Sequence, residues 1–314
     1  MESIGISLSY LLDLIIGDPY WFPHPVKGMA RLIIFLEERL KNNKEGYVLR
    51  IKGILLAVIV VGVSATTAYM LLYFAGRIDY ILKFVFWIIL GYTSLATKDL
   101  FLHVKRILER IKNEDIEGAR KNLSFIVGRD TQDLSRKEVI CACIESIAEN
   151  TNDGIIAPLF YLILGGPTLA VGYKAINTLD SMVGYKNQDY RDLGWFSAKL
   201  DDFVNFIPAR ITGILIVISS FLLRYNFKDS FRIMCRDGRN HLSPNSGISE
   251  AAMAAALGIR VGGPAKYKGK LVVKPYIGED KTFIEPGLIN KAIKVMFLTS
   301  FLMALIGVVL RWVI

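Results

Sequence analysis

The residues most suited to chemistry lie in the stretch ESIAENTNDGIIAPLF, residues 145–160, where carboxylates directly precede an apolar segment. Glu145 and Glu149 are four residues apart, and Asn150 and Asp153 follow them. On a helix, residues at i and i+4 share a face, so the glutamates form a like-charged pair that needs a positive partner. That partner is either a lysine or arginine from a neighbouring segment, or a divalent cation or cationic substrate. The pattern leaves both open.

A second cluster of oxygen ligands follows further along the chain. Asn177 and Asp180 are three residues apart on a predicted helix. After a loop come four more polar residues: Asp201, Asp202, Asn205 and Arg210. Arg210 lies at the start of an apolar segment, where it either extends its side chain to the membrane surface or holds a phosphate or carboxylate with two hydrogen bonds.

Two further positions suggest anion binding. The polar loop from Ser243 through Asn245 to Gly247 leads into an alanine-rich helix predicted to run from about Ser249 to Gly258. Free N–H groups at a helix start attract phosphate, and the alternative is a plain helix cap. Lys186, in a polar loop, adds a cation. No P-loop sequence is present, so a nucleotide must be held in another way.

His24 lies in the proline-rich turn GDPYWFPHPVKG near the N-terminus. Three prolines in this stretch specify a rigid turn, in which a single histidine more often has a structural role than a catalytic one. We include His24 as a candidate substrate contact for its position after the first apolar segment. The other histidines, His103 and His241, share no metal-ligand spacing with it.

These residues are positioned by a chain whose composition is that of a membrane protein. It has 314 residues, 53% of them hydrophobic, with a net charge of +9. Residues 53–75 contain no charged side chain and are long enough to cross a bilayer. Shorter apolar segments are 4–16, 84–97, 154–173, 211–223 and 295–310. We therefore predict an all-α, multi-pass membrane protein with about five apolar helical segments, and with a small irregular or β lobe near 265–281.

Charge and cysteine content narrow the class further. Three cysteines fit a reducing, cytoplasm-facing environment better than a disulfide framework. The basic excess lies in the polar stretches 22–52, 98–153 and 224–291, which is typical of cytoplasmic loops and, without a nucleic-acid motif, excludes a nucleic-acid-binding protein. We predict a single membrane-embedded domain over residues 1–314, in the cell membrane, with its active site facing the cytoplasm.

The segment GIIAPLFYLILGGPTLAVGY contains Gly165, Gly166 and Pro167 in its middle. This combination interrupts a helix and predicts either a kinked span or a re-entrant pair of half-helices. Complete spans put NTLDSM on the side opposite ESIAEN. A re-entrant hairpin puts NTLDSM and ESIAEN on the same side. In that case the segment 211–223 crosses outward, and the stretch 224–291 lies outside. Cysteines introduced at Lys186 and at Lys270, tested for accessibility in sealed vesicles, would distinguish these placements.

Five stretches together resemble one family, the membrane-bound adenosylcobinamide-phosphate synthases of cobalamin biosynthesis, called CobD or CbiB. They are GDPYWFPHPVKGMARLI, ESIAENTNDGIIAPLFYLILGGP, YKAINTLDSMVGYKN, FSAKLDDFVNFIPARIT and SPNSGISEAAMAAALGIRVGGPAKYKGK. They occur in the order of the family and span nearly the whole chain, which makes the resemblance specific.

The resemblance implies an ATP-dependent amide ligase. Such enzymes join (R)-1-aminopropan-2-ol phosphate, or a related amino alcohol, to a propionate of adenosylcobyric acid. Phosphoryl transfer from ATP calls for Mg²⁺, for cations that hold anions and for a base. We assign Glu145, Glu149, Asp153 and Asp180 to catalysis, with Glu145, Glu149 and Asp180 as magnesium ligands. The remaining candidates bind substrate or phosphate: His24, Asn150, Asn177, Lys186, Asp201, Asp202, Asn205, Arg210, Ser243 and Asn245.

Two other aspects stay open at this stage. A polytopic transporter or sensor of the same superfamily is the alternative function, although a transporter places ionisable residues near the middle of the membrane. The carboxylates of this chain lie at the ends of apolar segments instead. Partners besides the lipid bilayer and the substrates are a second copy of the chain or other membrane proteins of the corrinoid pathway.

Overall fold

The computed structural model describes residues 2–19, 21, 23–40, 46–184 and 190–313. Within these ranges the chain forms two compact units, one made of Met1–Ala96, Ala157–Asn205 and Ala304–Ile314, the other of Thr97–Ile156 and Phe206–Met303. We call them the first and the second unit. The predicted all-α membrane class is confirmed, as is the small β lobe.

The first unit is built from six helices and the end of a seventh. They are α1 (Glu2–Ile16), α2 (Pro25–Leu40), α3 (Tyr47–Ile78), α4 (Tyr80–Tyr92), α8 (Ala157–Val183), α9 (Trp195–Val204) and the last residues of α13 (Gly287–Val313). A tight turn at Asp79 joins α3 to α4, and the Asp79 carboxylate accepts a hydrogen bond from the Leu82 N–H at 3.0 Å. These two strongly apolar helices form an antiparallel helical hairpin.

Four stretches of helix in the described residues are long and apolar enough to cross a membrane: Tyr47–Ile78, Tyr80–Lys112, Arg136–Val183 and Gly287–Val313. A bent pair, Trp195–Val204 and Phe206–Leu222, raises the number to five if it counts as one span. Large apolar side chains of α3 such as Leu55, Val58 and Phe74 are exposed. A continuous apolar surface of this kind is stable against lipid but not in water.

The α8 segment reverses its direction at the predicted interruption. The rings of Tyr161 and Tyr173 stack with their centroids 5.1 Å apart. Twelve residues of uninterrupted helix span roughly 18 Å, which is too far for two tyrosine rings to stack. The backbone leaves helical geometry at Gly165 and at Gly166, where φ is +68°. Residues 157–164 and 167–183 are therefore the two arms of a re-entrant hairpin.

Arg311 satisfies the backbone groups that this reversal frees. Its Nε donates to the Ile163 carbonyl at 2.6 Å and its Nη2 to the Leu164 carbonyl at 2.8 Å. Unpaired carbonyls cost several kcal/mol each in hydrocarbon, so a break in a membrane helix needs such a partner. The α13 helix thereby stabilises the tip of the hairpin.

The second unit contains the polar helices and the β lobe. Its helices are α5 (Thr97–Lys112), α6 (Ile116–Leu123), α7 (Arg136–Asn150), α10 (Phe206–Leu222), α11 (Phe227–Asp237), α12 (Ser246–Leu257) and the first part of α13. A π-helical turn, Thr151–Ile156, follows α7 directly. A capping box formed by Ser135 and Glu138 begins α7.

The β lobe consists of two short antiparallel pairs. Strand β1 (Arg260–Gly262) pairs with β4 (Tyr276–Gly278), and β2 (Ala265–Tyr267) pairs with β3 (Lys270–Val272). Glu279, directly after β4, forms salt bridges with Arg232 and Arg236 of α11 and with Lys281. These cations lower the pKa of the Glu279 carboxyl to about 2. They tie the lobe to α11.

The β lobe also contacts the loop before α7. The Asp130 carboxylate accepts hydrogen bonds from the N–H groups of Lys268 and Gly269 at 3.0 and 2.7 Å, and Lys266 pairs with Asp133 at 2.8 Å. Residues in such contact lie on one side of the membrane. The polar stretches 98–153 and 224–291 therefore lie on the same side, and the expectation that a re-entrant hairpin leaves 224–291 outside is wrong.

The reversal of α8 predicts a cross-link that a straight helix forbids. In a chain without native cysteines, Tyr161→Cys with Tyr173→Cys should be joined by a short bifunctional thiol reagent and be detected as linked peptides by mass spectrometry. The control pair Val60→Cys with Leu72→Cys has the same twelve-residue spacing on the uninterrupted α3, and we expect no cross-link there. Equal yields for both pairs would contradict the hairpin.

The contact between the β lobe and the α7 loop predicts the sidedness of labelling. In sealed vesicles, single cysteines at Lys270 and Lys105 should react with a membrane-impermeant maleimide from the same side. A cysteine at Arg77, in the α3–α4 turn, should react from the other side. Labelling of Lys270→Cys together with Arg77→Cys would overturn this placement.

Candidate active site

Helix α7 presents two carboxylates to the interior of the second unit, and they differ in their partners. Glu145 is buried, forms an ion pair with Arg129, and accepts a hydrogen bond from the Gly262 N–H. A neighbouring arginine was one of the two compensating charges that the sequence left open for this pair. For Glu145 that charge is present, and its catalytic and metal-binding roles stay predictions.

Glu149, one helical turn later, opens onto a cavity between α7, α12 and the β lobe. We call this the α7–α12 cavity. Its volume is about 250 Å³. The side chains that line it and carry charge or polar groups are Arg129, Glu145, Ser146, Glu149, His241, Glu250, Tyr267 and Lys274. The Glu149 side chain is exposed to this space, and within the described part of the chain it accepts a hydrogen bond from the Ser246 hydroxyl at 3.5 Å.

Glu250 is a second carboxylate of this cavity. It is 6% exposed and lies on α12, where it is the only charged residue among small and apolar ones. Burial raises the pKa of Glu250 to about 8, and the negative charges of Glu149 and Asp153 act in the same direction, while Lys274 and Arg129 oppose it. The folded protein therefore favours the protonated acid when no cation is bound.

The neighbouring imidazole is held in one tautomer. His241 Nδ1 accepts a hydrogen bond from the Ser243 N–H at 3.1 Å, so the proton of this ring lies on Nε2. That nitrogen is 3.8 Å from Glu250 Oε1. The arrangement directs a neutral imidazole N–H towards the buried carboxylate.

The predicted anion loop, Ser243–Gly247, is stabilised by its own side chains. The Ser243 hydroxyl accepts hydrogen bonds from the N–H groups of Asn245 and Ser246 at 3.3 and 3.4 Å. Arg210 donates to Asn245 Oδ1 at 2.7 Å and to the Phe206 carbonyl at 2.8 Å. Helix α12 begins at Ser246, three residues before the predicted start, because this turn already aligns the backbone. Phosphate binding by Ser243, Asn245 and Arg210 stays a prediction.

The remaining candidates of the second unit lie where α7 changes to the π-helical turn. Asn150 donates to the Ser146 carbonyl at 2.9 Å. Asn152 donates to Asp153 Oδ1 at 2.7 Å and accepts from the Thr212 hydroxyl at 2.8 Å. Asp153 faces Glu250 closely enough to influence its pKa. Wide π-helical turns occur frequently at functional sites, and this one positions Asp153.

Other predicted residues belong to the first unit. Asn205 donates to Asp201 at 3.0 Å and accepts from the Tyr173 hydroxyl at 3.0 Å, which joins α9 to the α8 hairpin. Asn177 and Asp180 lie on the returning arm of that hairpin, and Asp202 lies on α9. His24 contacts Asp18 at 3.4 Å and accepts from the Val26 N–H, which fits the structural role. Lys186 lies outside the described residues.

The sequence did not single out Glu250, Lys274, Arg129 and Tyr267. They lie in four different segments, and only the fold brings them to one cavity. For Glu250 a signal exists, since a lone glutamate in SEAAMAAALG is the single charge of an otherwise apolar helix. Lys274 and Arg129 resemble the many other basic residues of the polar stretches, and no pattern distinguishes them.

Among the residues that the structure describes, no three His, Cys, Asp or Glu side chains are arranged to hold a metal ion. Of the predicted magnesium ligands, Glu145 is engaged by Arg129, Asp180 belongs to the first unit, and Glu149 shares its cavity with Lys274. Cations lining a cavity repel a bare divalent ion. Glu145 and Glu149 thus already have neighbouring cations, and the metal-binding role of the three carboxylates stays a prediction.

The raised pKa of Glu250 predicts a pH-dependent stability. The protonated carboxyl stabilises the fold fully below the unfolded pKa near 4.5, and this contribution is lost as pH rises towards about 8. In detergent, the melting temperature of the Glu250→Gln variant should therefore fall less than that of the wild type across this range, and exceed it at the alkaline end. The exposed Glu109→Gln variant serves as control and should follow the wild type. Parallel curves for Glu250→Gln and wild type would contradict the assignment.

Comparison with known proteins identifies the family. Residues 6–296 match the family model described as CobD/Cbib protein. The chain is 45% identical over 292 residues to the cobalamin biosynthesis protein CobD of Listeria monocytogenes, which covers 93% of each chain. It is 46% identical over 310 residues to that of Clostridium tetani, covering 98% of this chain and 96% of the relative.

A third relative gives the same result. The cobalamin biosynthesis protein CobD of Streptococcus sanguinis is 46% identical over 300 residues, covering 96% of this chain and 94% of the relative. No solved structure matches the chain significantly. Matches of this extent, from end to end of the fold described above, show that the chain belongs to the CobD/CbiB family of cobalamin biosynthesis proteins.

Proposed function

We propose that this protein is an acid–amine ligase of cobalamin biosynthesis. It joins (R)-1-aminopropan-2-ol phosphate, or a related amino alcohol, to a propionate of adenosylcobyric acid at the expense of ATP, and the product is adenosylcobinamide phosphate. Family membership supports the pathway. The observation that supports the reaction class is the α7–α12 cavity, which is lined by the carboxylates of Glu149 and Glu250 and by the cation of Lys274.

The chemistry explains why such a cavity is needed. A carboxylate and an ammonium ion do not condense in water, so a propionate oxygen first attacks the γ-phosphorus of ATP and releases ADP. The amine nitrogen then attacks the acyl carbon, the C–N bond forms, the C–O bond breaks, and phosphate leaves. The ammonium group loses one proton before the attack and one after it. Carboxylates next to the nitrogen can accept these protons.

We assign proton transfer to Glu149, because it is the acidic side chain of α7 that opens onto the cavity without an arginine partner in the contacts described. Asp153 and Asp180 remain candidates for the same task. Arg210, Ser243 and Asn245 remain candidates for holding phosphate. Magnesium bound with ATP would neutralise phosphate charge.

The site is proposed to face the cytoplasm, where ATP is available. The second unit carries both of the polar stretches that contact each other, 98–153 and 224–291, and the excess of lysine and arginine there is typical of cytoplasmic segments. Assembly with a second copy or with other membrane proteins of the pathway is compatible with this orientation.

The direct test uses purified protein in detergent with adenosylcobyric acid, ATP, Mg²⁺ and each candidate amine, with the amide product measured by mass spectrometry. We expect product with one of the amines, and a loss of about a hundredfold or more in rate for Glu149→Gln, the range typical of removing a general base. Asp180→Asn should also be slowed. Glu109→Gln, an exposed residue of α5, is the matched control and should keep the wild-type rate.

Two outcomes would contradict the proposal. Absence of an amide product with every amine would favour the transporter or sensor of the same superfamily. Wild-type rates for Glu149→Gln and Asp180→Asn, each shown to be folded by its melting curve, would leave the reaction in place but remove these residues from it.

A further inference from the structure

We propose that the α7–α12 cavity is the subsite for the amine substrate, which it binds as a zwitterion. Glu149 and Glu250 hold the ammonium end, and Lys274 holds an anionic group at the other end. This inference rests on the proposed function, and it assigns the side chains that bind each end of the amine substrate.

The carboxylates of the cavity suit a cation from the ligand. Arg129 is paired with Glu145, so these two charges offset each other. Glu149 and Glu250 remain, and of the basic side chains lining the cavity in the described part of the chain, only Lys274 is left to face them. Two carboxylates in a space surrounded by protein repel one another, so Glu250 keeps its proton in the empty cavity, and a positive group between the two lets both ionise.

The histidine does not supply that charge. Because His241 Nδ1 accepts the hydrogen bond of the Ser243 N–H, a second proton on the ring would break this contact. With this contact in place the ring carries its proton on Nε2, which lies 3.8 Å from Glu250 Oε1. A primary ammonium group has three N–H donors, which suits two carboxylates and a hydroxyl such as that of Ser246, already 3.5 Å from Glu149.

Lys274 supplies the cation of the cavity. It lies in the loop between β3 and β4, and its ammonium group is 5.1 Å from the centre of the Tyr267 ring. Its charge acts on both Glu149 and Glu250, yet neither forms a salt bridge with it among the contacts described. An ammonium group close to the carboxylates but not paired with them can bind the phosphate of the same ligand.

The volume of the cavity limits the size of the ligand. A cavity of about 150 Å³ holds a benzene ring. The 250 Å³ of the α7–α12 cavity therefore fits a molecule the size of a three-carbon amino alcohol phosphate. ATP and a corrinoid are both much larger, so they can approach its opening but cannot enter it.

Equilibrium binding without ATP or corrinoid tests this subsite. Calorimetry on the full chain in detergent compares three ligands: 1-aminopropan-2-ol phosphate, 1-aminopropan-2-ol, and propane-1,2-diol 2-phosphate, which lacks the amine. We expect the wild type to bind the first at least about tenfold more tightly than either of the others. Lys274→Met should abolish the preference for the phosphorylated amine over the free one.

Glu250→Gln should abolish the preference for 1-aminopropan-2-ol phosphate over propane-1,2-diol 2-phosphate. If Glu250→Gln does not fold, Glu149→Gln tests the same preference. Lys270→Met, an exposed lysine of the same lobe, is the control and should bind as the wild type does. Equal binding of all three ligands by the wild type, or unchanged preferences in the folded Lys274→Met and glutamate variants, would overturn the subsite.

The subsite and the proposed reaction fail in different ways. If the binding preferences hold but no amide forms, the ligase function is wrong and the zwitterion site stands. If amide forms while Lys274→Met leaves KM for the amine phosphate unchanged, the reaction stands and the subsite is wrong.

Discussion

The contact of Glu145 with Arg129 and with the Gly262 N–H is the interaction on which the second unit depends. It joins three segments that are far apart in sequence, namely the loop before α7, helix α7 itself and the first strand of the β lobe. A buried carboxylate that lost these partners would leave an uncompensated charge, which is strongly destabilising. Because the contact fixes the lobe over α7, Tyr267 and Lys274 come to face Glu149, and the cavity exists.

In the first unit the corresponding constraint comes from the membrane. A chain that reverses inside a bilayer must satisfy every carbonyl that the reversal frees. Arg311 does this for Ile163 and Leu164, while Tyr161 and Tyr173 stack and donate to α9. The hairpin is thus a rigid element whose returning arm carries Asn177 and Asp180.

Local patterns in the sequence predicted the elements well. The interruption at Gly165–Gly166 and the β lobe both depend on residues near one another in the chain, and each is confirmed. The cavity depends on pairings across the fold, and these have no local signature. The start of α12 at Ser246 and the π-helical turn after α7 were missed for the same reason, since tertiary contacts such as those of Arg210 and Thr212 stabilise them.

The central claim is that the amine is bound between Glu149 and Glu250. A water-soluble carbodiimide activates carboxyl groups, and an amine already seated against one of them forms an amide with it. With 1-aminopropan-2-ol phosphate at low concentration, followed by peptide mapping, the account predicts a modification confined to Glu149 or Glu250 and suppressed in Lys274→Met. Modification spread over exposed carboxylates such as Asp133, with neither glutamate labelled, would contradict it.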